Sequence, residues 1–345
     1  MISTEVHPGD VLLNITGGSL GRCAVVPSTF DIGNVSQHVC ILRPILVISE
    51  YLHAFILSGH FHKNMKVSGS GREGLPKYNL EKMVFPLPPF DEQARIVNQV
   101  QNLMYLIDDI NANRDLLEKN IYQYKQEVLD LAISGKLNTQ LSTDIPALEI
   151  LKAINPSYSA TDNRHYENIP LKWEECALKD IVEIQNGFAF KSSLYSNDGV
   201  RVIRITNVQD GYIVDDSPKY YPLSLMTGLD DYILEENDLL MSLTGNVGRV
   251  AMMPASLLPA ALNQRVCCIK PKSSEICREF IFYLLRTESF LTSCIESGKG
   301  VAQLNVSTDW LKNYRVALPP KDEQRRIVKA AQTIMTQIDE ILADL

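Results

Sequence analysis

The sequence predicts an α+β protein with two similar mixed α/β domains, the first incomplete, each running into a long coiled-coil helix. Three observations predict it. Apolar residues recur at alternating spacings of four and three from Asp91 to Ser134. The same helix-entry frame returns near the C-terminus, and a long internal repeat links the two halves of the chain.

The helix is the clearest element. Its apolar seam is Ile96, Val100, Leu103, Ile107, Ile110, Leu117, Ile121, Tyr124, Val128 and Leu131, with Arg114 its only polar member. No Gly or Pro interrupts it, Asp91 can cap its start and Gly135 follows its end. At 1.5 Å per residue the helix would be about 65 Å long. A narrow seam of period 3.5 calls for another helix as partner rather than the flank of a globular core. That partner is expected in Ile327, Ala331, Ile334, Ile338, Ile341 and Leu345. Arg114 could fix helix register, or simply snorkel to the edge.

The repeat sets the architecture. Gly9-Asp-Val-Leu-Leu-Asn-Ile-Thr-Gly17 returns as Asn237-Asp-Leu-Leu-Met-Ser-Leu-Thr-Gly245, and Gly21-Arg-Cys-Ala-Val-Val-Pro27 as Gly248-Arg-Val-Ala-Met-Met-Pro254. Val35-Ser-Gln-His-Val-Cys-Ile-Leu-Arg-Pro44 returns as Leu262-Asn-Gln-Arg-Val-Cys-Cys-Ile-Lys-Pro271. Leu87-Pro-Pro-Phe-Asp-Glu-Gln-Ala-Arg-Ile-Val97 returns as Leu318-Pro-Pro-Lys-Asp-Glu-Gln-Arg-Arg-Ile-Val328. A unit this long is a duplicated domain plus helix, not a solenoid repeat. Strands are expected at Val11 to Thr16 and Leu239 to Thr244, at Cys23 to Val26 and Val250 to Met253, and at Val39 to Leu42 and Val266 to Ile269. Tyr51 to Lys66 and Cys277 to Glu296 read as amphipathic helices, and a strand and Pro-Pro turn close each domain.

The copies are unequal. The second has a preface, Ile169 to Tyr232, with strands expected at Ile181 to Ile184, Val200 to Ile205 and Tyr212 to Val214; no counterpart precedes Val6. Domain 1 therefore spans 1–90 and reads as the C-terminal half of such a domain. The spacer helix spans 91–134, and a polar linker with a helical candidate at Pro146 to Ile154 spans 135–168. Domain 2 spans 169–320, and the second spacer helix starts at 321–345.

Bulk properties exclude several classes. The chain has 345 residues, 21% charged and 45% hydrophobic, as in an ordinary globular protein. Apolar runs are too short for a membrane span and the N-terminus does not read as a signal peptide. Seven cysteines without a C-x-x-C pair argue for reduced thiols in a cytoplasm rather than a disulfide framework or zinc site. A formal charge of −8 argues mildly against nucleic-acid binding. The charge is uneven, however: the spacer carries eight acids and four bases, whereas residues 1–90 carry seven bases, six acids and five of the six histidines. A locally basic face stays possible.

Taken together, Trp173 with the Asn186-Gly-Phe-Ala-Phe190 turn, the Leu-Thr-Gly-x-x-Gly-Arg loop, the Asn263-Gln264 pair and the Leu-Pro-Pro-x-x-Glu-Gln-x-Arg-Ile-Val helix entry resemble the specificity subunit of type I restriction-modification systems. The resemblance covers essentially the whole chain. It implies two target recognition domains, each reading half of a bipartite double-stranded DNA sequence, separated by long antiparallel coiled-coil helices that act as a ruler. It implies methyltransferase subunits gripping the helices and a restriction-translocase subunit joining them. S-adenosylmethionine, Mg and ATP would then sit on those partners, with no cofactor or metal on this chain. This sequence departs from the family in lacking the first half of the first recognition domain and the distal part of the second helix.

Thr244-Gly-Asn-Val-Gly-Arg249 puts a hydroxyl, open backbone and a cation on one turn, suited to phosphate and groove contacts; a plain hairpin turn is the alternative. Thr244, Gly245, Asn246 and Arg249 are the candidates there, with Thr16 and Arg22 in the first copy. Asn263-Gln264-Arg265 and Ser36-Gln37-His38 place amides beside a basic residue before a strand, a chemistry fit for adenine and guanine edges. Gln37 and Gln264 recur where the base read should differ, which favours a structural role for them. The varying neighbours, Ser36 and His38 against Asn263 and Arg265, are the better specificity candidates. Lys191, Arg201, Arg204, Asn207, Lys299, Asn305 and Arg72 are weaker ones, since charged residues are usually solvated surface.

Enzyme motifs fail on inspection. Gly69-Ser-Gly-Arg-Glu-Gly74 fits G-x-G-x-x-G, but Leu75-Pro76 follows where a helix must begin. Leu87-Pro-Pro-Phe90 lacks the leading Asp or Asn of an amino-methyltransferase motif. His53, His60 and His62 find no completing ligand, and there is no phosphate-binding G-x-x-x-x-G-K loop. A non-catalytic DNA-reading subunit is expected. The alternatives are a truncated scaffold pairing with a second specificity chain through the coiled coil, and the specificity region of a fused endonuclease-methyltransferase.

Overall fold

A computed structural model describes residues 4–68, 74–160, 166, 169–298 and 304–343. The chain folds as two compact units, Met1–Leu116 and Leu117–Leu345.

Unit 1 holds strands β1 (Glu5–Val6), β2 (Val11–Asn14), β3 (Cys23–Val25), β4 (Gly33–Asn34) and β5 (Val39–Leu42), followed by helices α1 (Ser49–Leu57), α2 (Gly59–Asn64) and α3 (Lys77–Glu81). β3, β2 and β5 form an antiparallel sheet in that order, and β1 pairs with β4. Alternation along β2 sends Val11 and Leu13 into a core with Ile56, Phe61 and Leu75. Expected as one helix, Tyr51 to Lys66 is two. Ser58 breaks it with ψ 149° and then caps α2 by accepting from the Phe61 N–H. The strand expected before the first Pro-Pro turn is also absent: 84–87 runs without regular structure.

The helix α4 (Phe90–Ile133) is 44 residues long, as its seam required, beginning one residue early. Its seam is not covered throughout. Leu103, Ile107, Ile110 and Leu117 are 60%, 51%, 65% and 38% exposed, and Ile96 and Val100 are half-buried. Beyond them burial settles on Ile121, Gln126, Leu129 and Ala132, leaving Tyr124 and Leu131 exposed. A helix packed on a lobe buries a different stripe from one packed only on a helix.

Unit 2 continues with α5 (Ala147–Ile154), β6 (Glu174–Ala177), α6 (Leu178–Ile181), β7 (Val182–Asn186), β8 (Val200–Ile203), β9 (Tyr220–Tyr221), β10 (Ile233–Leu234), β11 (Leu239–Ser242), β12 (Val250–Met252), β13 (Ala260–Leu262) and β14 (Val266–Pro271). It closes with α7 (Arg278–Leu284), α8 (Glu288–Ser297), α9 (Thr308–Asn313), β15 (Arg315–Leu318) and α10 (Lys321–Ala343). Here too one expected helix is two, broken at 285–287, where the Thr287 hydroxyl caps α8 by accepting from the Phe290 N–H. Tyr212 to Val214 makes only an isolated bridge, Val208 to Ile213.

Two four-stranded sheets face each other, one ordered β12-β11-β14-β7 and the other β10-β13-β8-β9 with β13 parallel to β8. Leu240, Ala251, Val266 and Cys268 of the first pack on Ile203, Leu234, Ala260 and Leu262 of the second. The opposite face of the first sheet, Leu239, Met241, Cys267 and Ile269, packs on Phe280, Ile281, Leu284, Leu311, Ile327 and Ala132. Full burial of each Val, Leu, Ile, Phe or Met side chain in these layers contributes roughly 1.5–3 kcal/mol. The seven cysteines are unpaired thiols.

Within unit 2 the end of α4 and α10 run antiparallel. Ala132 shares a core with Ile327, near the start of α10, while Lys125 pairs with Asp339 near its end. Ile327 and Ala331 are buried, Ile334 and Ile338 half-buried, and Ile341 is 53% exposed. Leu345 lies outside the described residues.

Candidate nucleic-acid interface

Three turns of unit 2 meet at one end of the β12-β11-β14-β7 sheet. The β11–β12 hairpin supplies 243–249, the entry to β14 supplies Asn263, Gln264 and Arg265, and the exit from β7 supplies 186–188. Backbone bonds lock them together: Leu243 N–H donates to Arg265 O (3.0 Å), and Gln264 N–H to Phe188 O (2.9 Å). Gly245 N–H and Val306 N–H tie in the 304–306 segment through Leu304 O and Leu243 O.

Glycine is required at the points of closest approach. A Cβ at Gly187 would lie 2.1 Å from the Asn263 carbonyl oxygen, so glycine there is what lets the Asn-Gly-Phe turn seat against the Asn263–Arg265 turn. Gly245 and Gly248 have φ of +73° and +81°, and their counterparts Gly17 and Gly21 have +74° and +84°. These glycines supply the positive φ of a tight turn, and the side chains around them differ in exposure.

Those side chains fall into two groups. Arg265, Gln264, Asn246 and Lys191 are exposed, and Arg265 forms no ion pair among the described residues. Thr244 is half-buried, its hydroxyl donating to the Asn305 carboxamide oxygen at 3.1 Å, which brings those two candidates together. Arg249 is half-buried and donates to the Gln209 side chain at 2.5 Å. Beside it, Arg286 is paired with Asp210 at 2.7 Å, and both arginines line a cleft of about 350 Å³.

Three candidates have partners within the fold. Asn207 is 3% exposed; its carboxamide accepts from Arg204 N–H and donates to Val214 O and Asp215, clamping the turn after β8. Arg201 is ion-paired with Asp215 and lies over the Tyr220 ring. Arg204 donates to Ser217 O at 2.8 Å and is only half-exposed. Asn263 is 9% exposed, so less of its amide is presented than of its neighbours' side chains. Lys299 and Arg72 lie outside the described residues.

Unit 1 repeats the arrangement in part. Thr16 Oγ1 and His38 Nδ1 are 2.7 Å apart, Ile15 N–H donates to His38 O, and Arg22, Gln37 and His38 are exposed. Among the described residues no group of three His, Cys, Asp or Glu side chains could hold a metal, and no helix is long and apolar enough to cross a membrane.

Sequence reasoning missed the glutamine of the helix entry. Gln324 accepts from Cys277 N–H and donates to Pro319 O, and Gln93 does the same with Ile48 N–H and Pro88 O. Its presence in both copies of the entry frame was the available signal. A buried polar knot beneath it was also missed. Arg326 binds Asp144 through two hydrogen bonds of 3.0 and 2.6 Å, holding that carboxyl below the ordinary aspartate range. Glu323, fully buried beside them, has its pKa raised by desolvation, and the Trp173 indole and Gln140 amide turn toward it without closing hydrogen bonds of normal geometry.

The family described as "Type I restriction modification DNA specificity domain" matches residues 2–119 and 170–344. The chain belongs to that family.

Among curated relatives of this specificity-domain protein is the type I restriction enzyme EcoAI specificity subunit of Escherichia coli. It is 27% identical over 376 residues that cover 90% of this chain and 63% of the relative. The MjaVIII specificity subunit of Methanocaldococcus jannaschii is 27% identical over 341 residues, covering 97% and 74%. The chain thus spans less than two thirds of the first relative's length. The fold matches a chain solved in a study of complex assembly and conformational transition of the type I R-M system, with a TM-score of 0.70, 20% identity, and 98% and 76% of the chains covered. It also matches the HsdS subunit from Thermoanaerobacter tengcongensis, with a TM-score of 0.59, 21% identity, and 97% and 75% covered.

Proposed function

We propose that this specificity-domain chain is the non-catalytic, DNA-sequence-reading subunit of a type I restriction-modification complex. It would read a bipartite duplex target and position methyltransferase and restriction subunits on it. The observation that carries the reading is the convergence of the Thr244–Arg249, Asn263–Arg265 and Gly187 turns at one sheet end. There Arg265 and Gln264 stand exposed on a backbone frame that glycine alone permits. A guanidinium on a fixed turn can meet guanine O6 and N7 bidentately, and a neighbouring amide can meet adenine. Thr244, Asn246 and Lys191 suit phosphate contacts that set register. The 44-residue spacer is long enough, at about 65 Å, to exceed one DNA turn. S-adenosylmethionine, Mg and ATP belong to the partner subunits in this reading, and the assembly works in the cytoplasm.

The test is footprinting of the chain with its methyltransferase partner on DNA carrying the methylated motif of its host. Protection of two separated half-sites, weakened in one half by Arg265→Ala, supports the reading. Equal binding to all duplexes at moderate salt rejects it.

A second reading rests on the exposure of Leu103, Ile107 and Ile110. An uncovered apolar seam suits a scaffold that pairs with another specificity chain and reads little DNA itself. Under that reading Arg249→Ala with Arg265→Ala leaves activity intact, and charged residues at Leu103 and Ile107 abolish it; the opposite result rejects it.

A further inference from the structure

We infer that the hairpin turning at Asp210-Gly211 is a further wall of this interface, from which Tyr212 contacts a DNA phosphate. Arg249 is then a positioning residue that braces the hairpin, not a phosphate contact itself. The inference rests on the DNA reading above and adds a contact residue to it.

The hairpin begins and ends against turns already placed at the interface. β8 runs parallel to β13 with Ile203 opposite Leu262, so the chain leaves β8 beside the Asn263–Arg265 turn. Asn263 N–H donates to Ile203 O there, at 3.2 Å. The chain then doubles back: Val214 N–H donates to Asn207 O at 2.8 Å, and Gln209 N–H to Tyr212 O at 3.0 Å. Asp-Gly is a favoured pair for such a two-residue loop, and Gly211 has φ +91°. At the crown Gly211 N–H donates to Val250 O at 2.8 Å, next to the close of the Thr244–Arg249 loop.

Both arginines of the adjoining cleft are turned onto this hairpin. Arg249 donates to the Gln209 side-chain oxygen, and Gln209 Nε2 donates in turn to Thr206 O at 3.0 Å. Arg286 binds both Asp210 carboxylate oxygens, at 2.7 and 3.2 Å, and lies over the Phe282 ring. A Cβ at Gly211 would lie 2.9 Å from the Arg286 guanidinium, so the fit needs glycine. Arg249 is half-buried and bonded to a neutral amide, which makes it a strut.

The chemistry left open lies at Tyr212. Its side chain is 60% exposed, and its phenol has no hydrogen bond among the described residues. A ring held out on a braced turn loses little freedom on binding, and a tyrosine hydroxyl is a regular donor to phosphate oxygens. Phosphate is favoured over a base edge because the hairpin flanks the Asn263–Arg265 turn. It meets the strand bordering the groove which that turn would enter.

The test measures affinity of the chain with its methyltransferase partner for a duplex carrying the host's methylated motif and for an unrelated duplex, over a salt series. Tyr212→Phe should weaken both about tenfold, leaving the preference between them intact. Arg249→Ala, and Gln209→Ala at the other end of the same bond, should each weaken binding about fivefold with the salt slope unchanged. On a Tyr212→Ala background Arg249→Ala should cost no more than about twofold further, since it acts through the hairpin. Parent-like binding by Tyr212→Phe overturns the inference. So does a salt slope lowered by about 0.9 in Arg249→Ala, which would make the arginine itself the phosphate contact. A complex that prefers the motif while Tyr212→Phe is silent fails this inference alone. One that binds neither duplex fails the DNA reading and takes the inference with it.

Discussion

Gln93 and Gln324 hold equivalent stations in the two lobes. Each accepts a hydrogen bond from the N–H that opens the packing helix, Ile48 at 2.9 Å and Cys277 at 2.7 Å. Each also donates to the Pro-Pro turn, Pro88 O at 3.0 Å and Pro319 O at 2.9 Å. One amide thereby ties the lobe to the base of its spacer helix, in a position 1% exposed for Gln93 and fully buried for Gln324.

Gln324→Ala should therefore cost about 1–3 kcal/mol, since it strands a buried N–H and a carbonyl. Gln93→Ala should cost a similar amount. Urea titrations followed by circular dichroism measure both, and a loss below about 0.5 kcal/mol would deny them the strap role.

The duplicated hairpins and the 44-residue helix were legible in the sequence because alternation of period two and of period 3.5 is carried by many residues at once. Helix breaks were not. Ser58, followed by Gly59-His60, and Thr287, between Arg286 and Glu288, sit among polar residues that an amphipathic helix also carries, and only the structure shows each hydroxyl accepting from the N–H three residues on. In the candidate site, Thr244 and Arg265 were singled out from the repeat, whereas the bond between Thr244 and Asn305 was seen only in the structure. Asn207 and Arg201 were not recognised as internal because a side chain's partner, Asp215 for both, cannot be read from its type. The seam was read correctly as helical. Its cover was not legible, since coverage depends on which elements lie alongside.

Glu323 makes stability depend on pH in a defined direction. Its raised pKa means the folded state holds the proton longer than the unfolded state, whose value is near the ordinary 4.5. Folding is therefore favoured below that value and loses stability as pH rises through the raised one. Glu323→Gln should remove this component, so the Tm difference between variant and parent should move in the variant's favour from pH 5 to pH 8. Parallel Tm curves would assign the carboxylate no such role.

Asp10 and Asp144 act in the opposite sense. Hydrogen bonds from Arg43 and Arg326 hold their carboxyls below the ordinary aspartate value of 3.8. Their contribution is complete above that value and is lost as pH falls through the lowered ones. Arg43→Met and Arg326→Met should each shift the acid unfolding midpoint upward, read by near-ultraviolet circular dichroism against pH. An unmoved midpoint would count against the pairs.

Charge on the exposed seam should leave the lone chain unharmed. Leu103→Glu with Ile107→Glu replaces side chains already 60% and 51% exposed, so Tm should change by no more than about 1–2 °C. A larger fall in Tm would show that these side chains support the fold of the chain itself. If Tm holds while assembly with partner subunits fails in size-exclusion chromatography, the seam is an assembly surface.

The most direct measurement is sequencing of methylated bases in DNA modified by the assembled complex, comparing the parent chain with Arg265→Ala. One bidentate base contact carries about 1–3 kcal/mol of discrimination. The account predicts a two-part motif whose base choice widens roughly tenfold or more at a position in one half only, with the spacing and the other half unchanged. An unaltered motif, or a uniform loss of methylation at every site without any change in sequence preference, would contradict it.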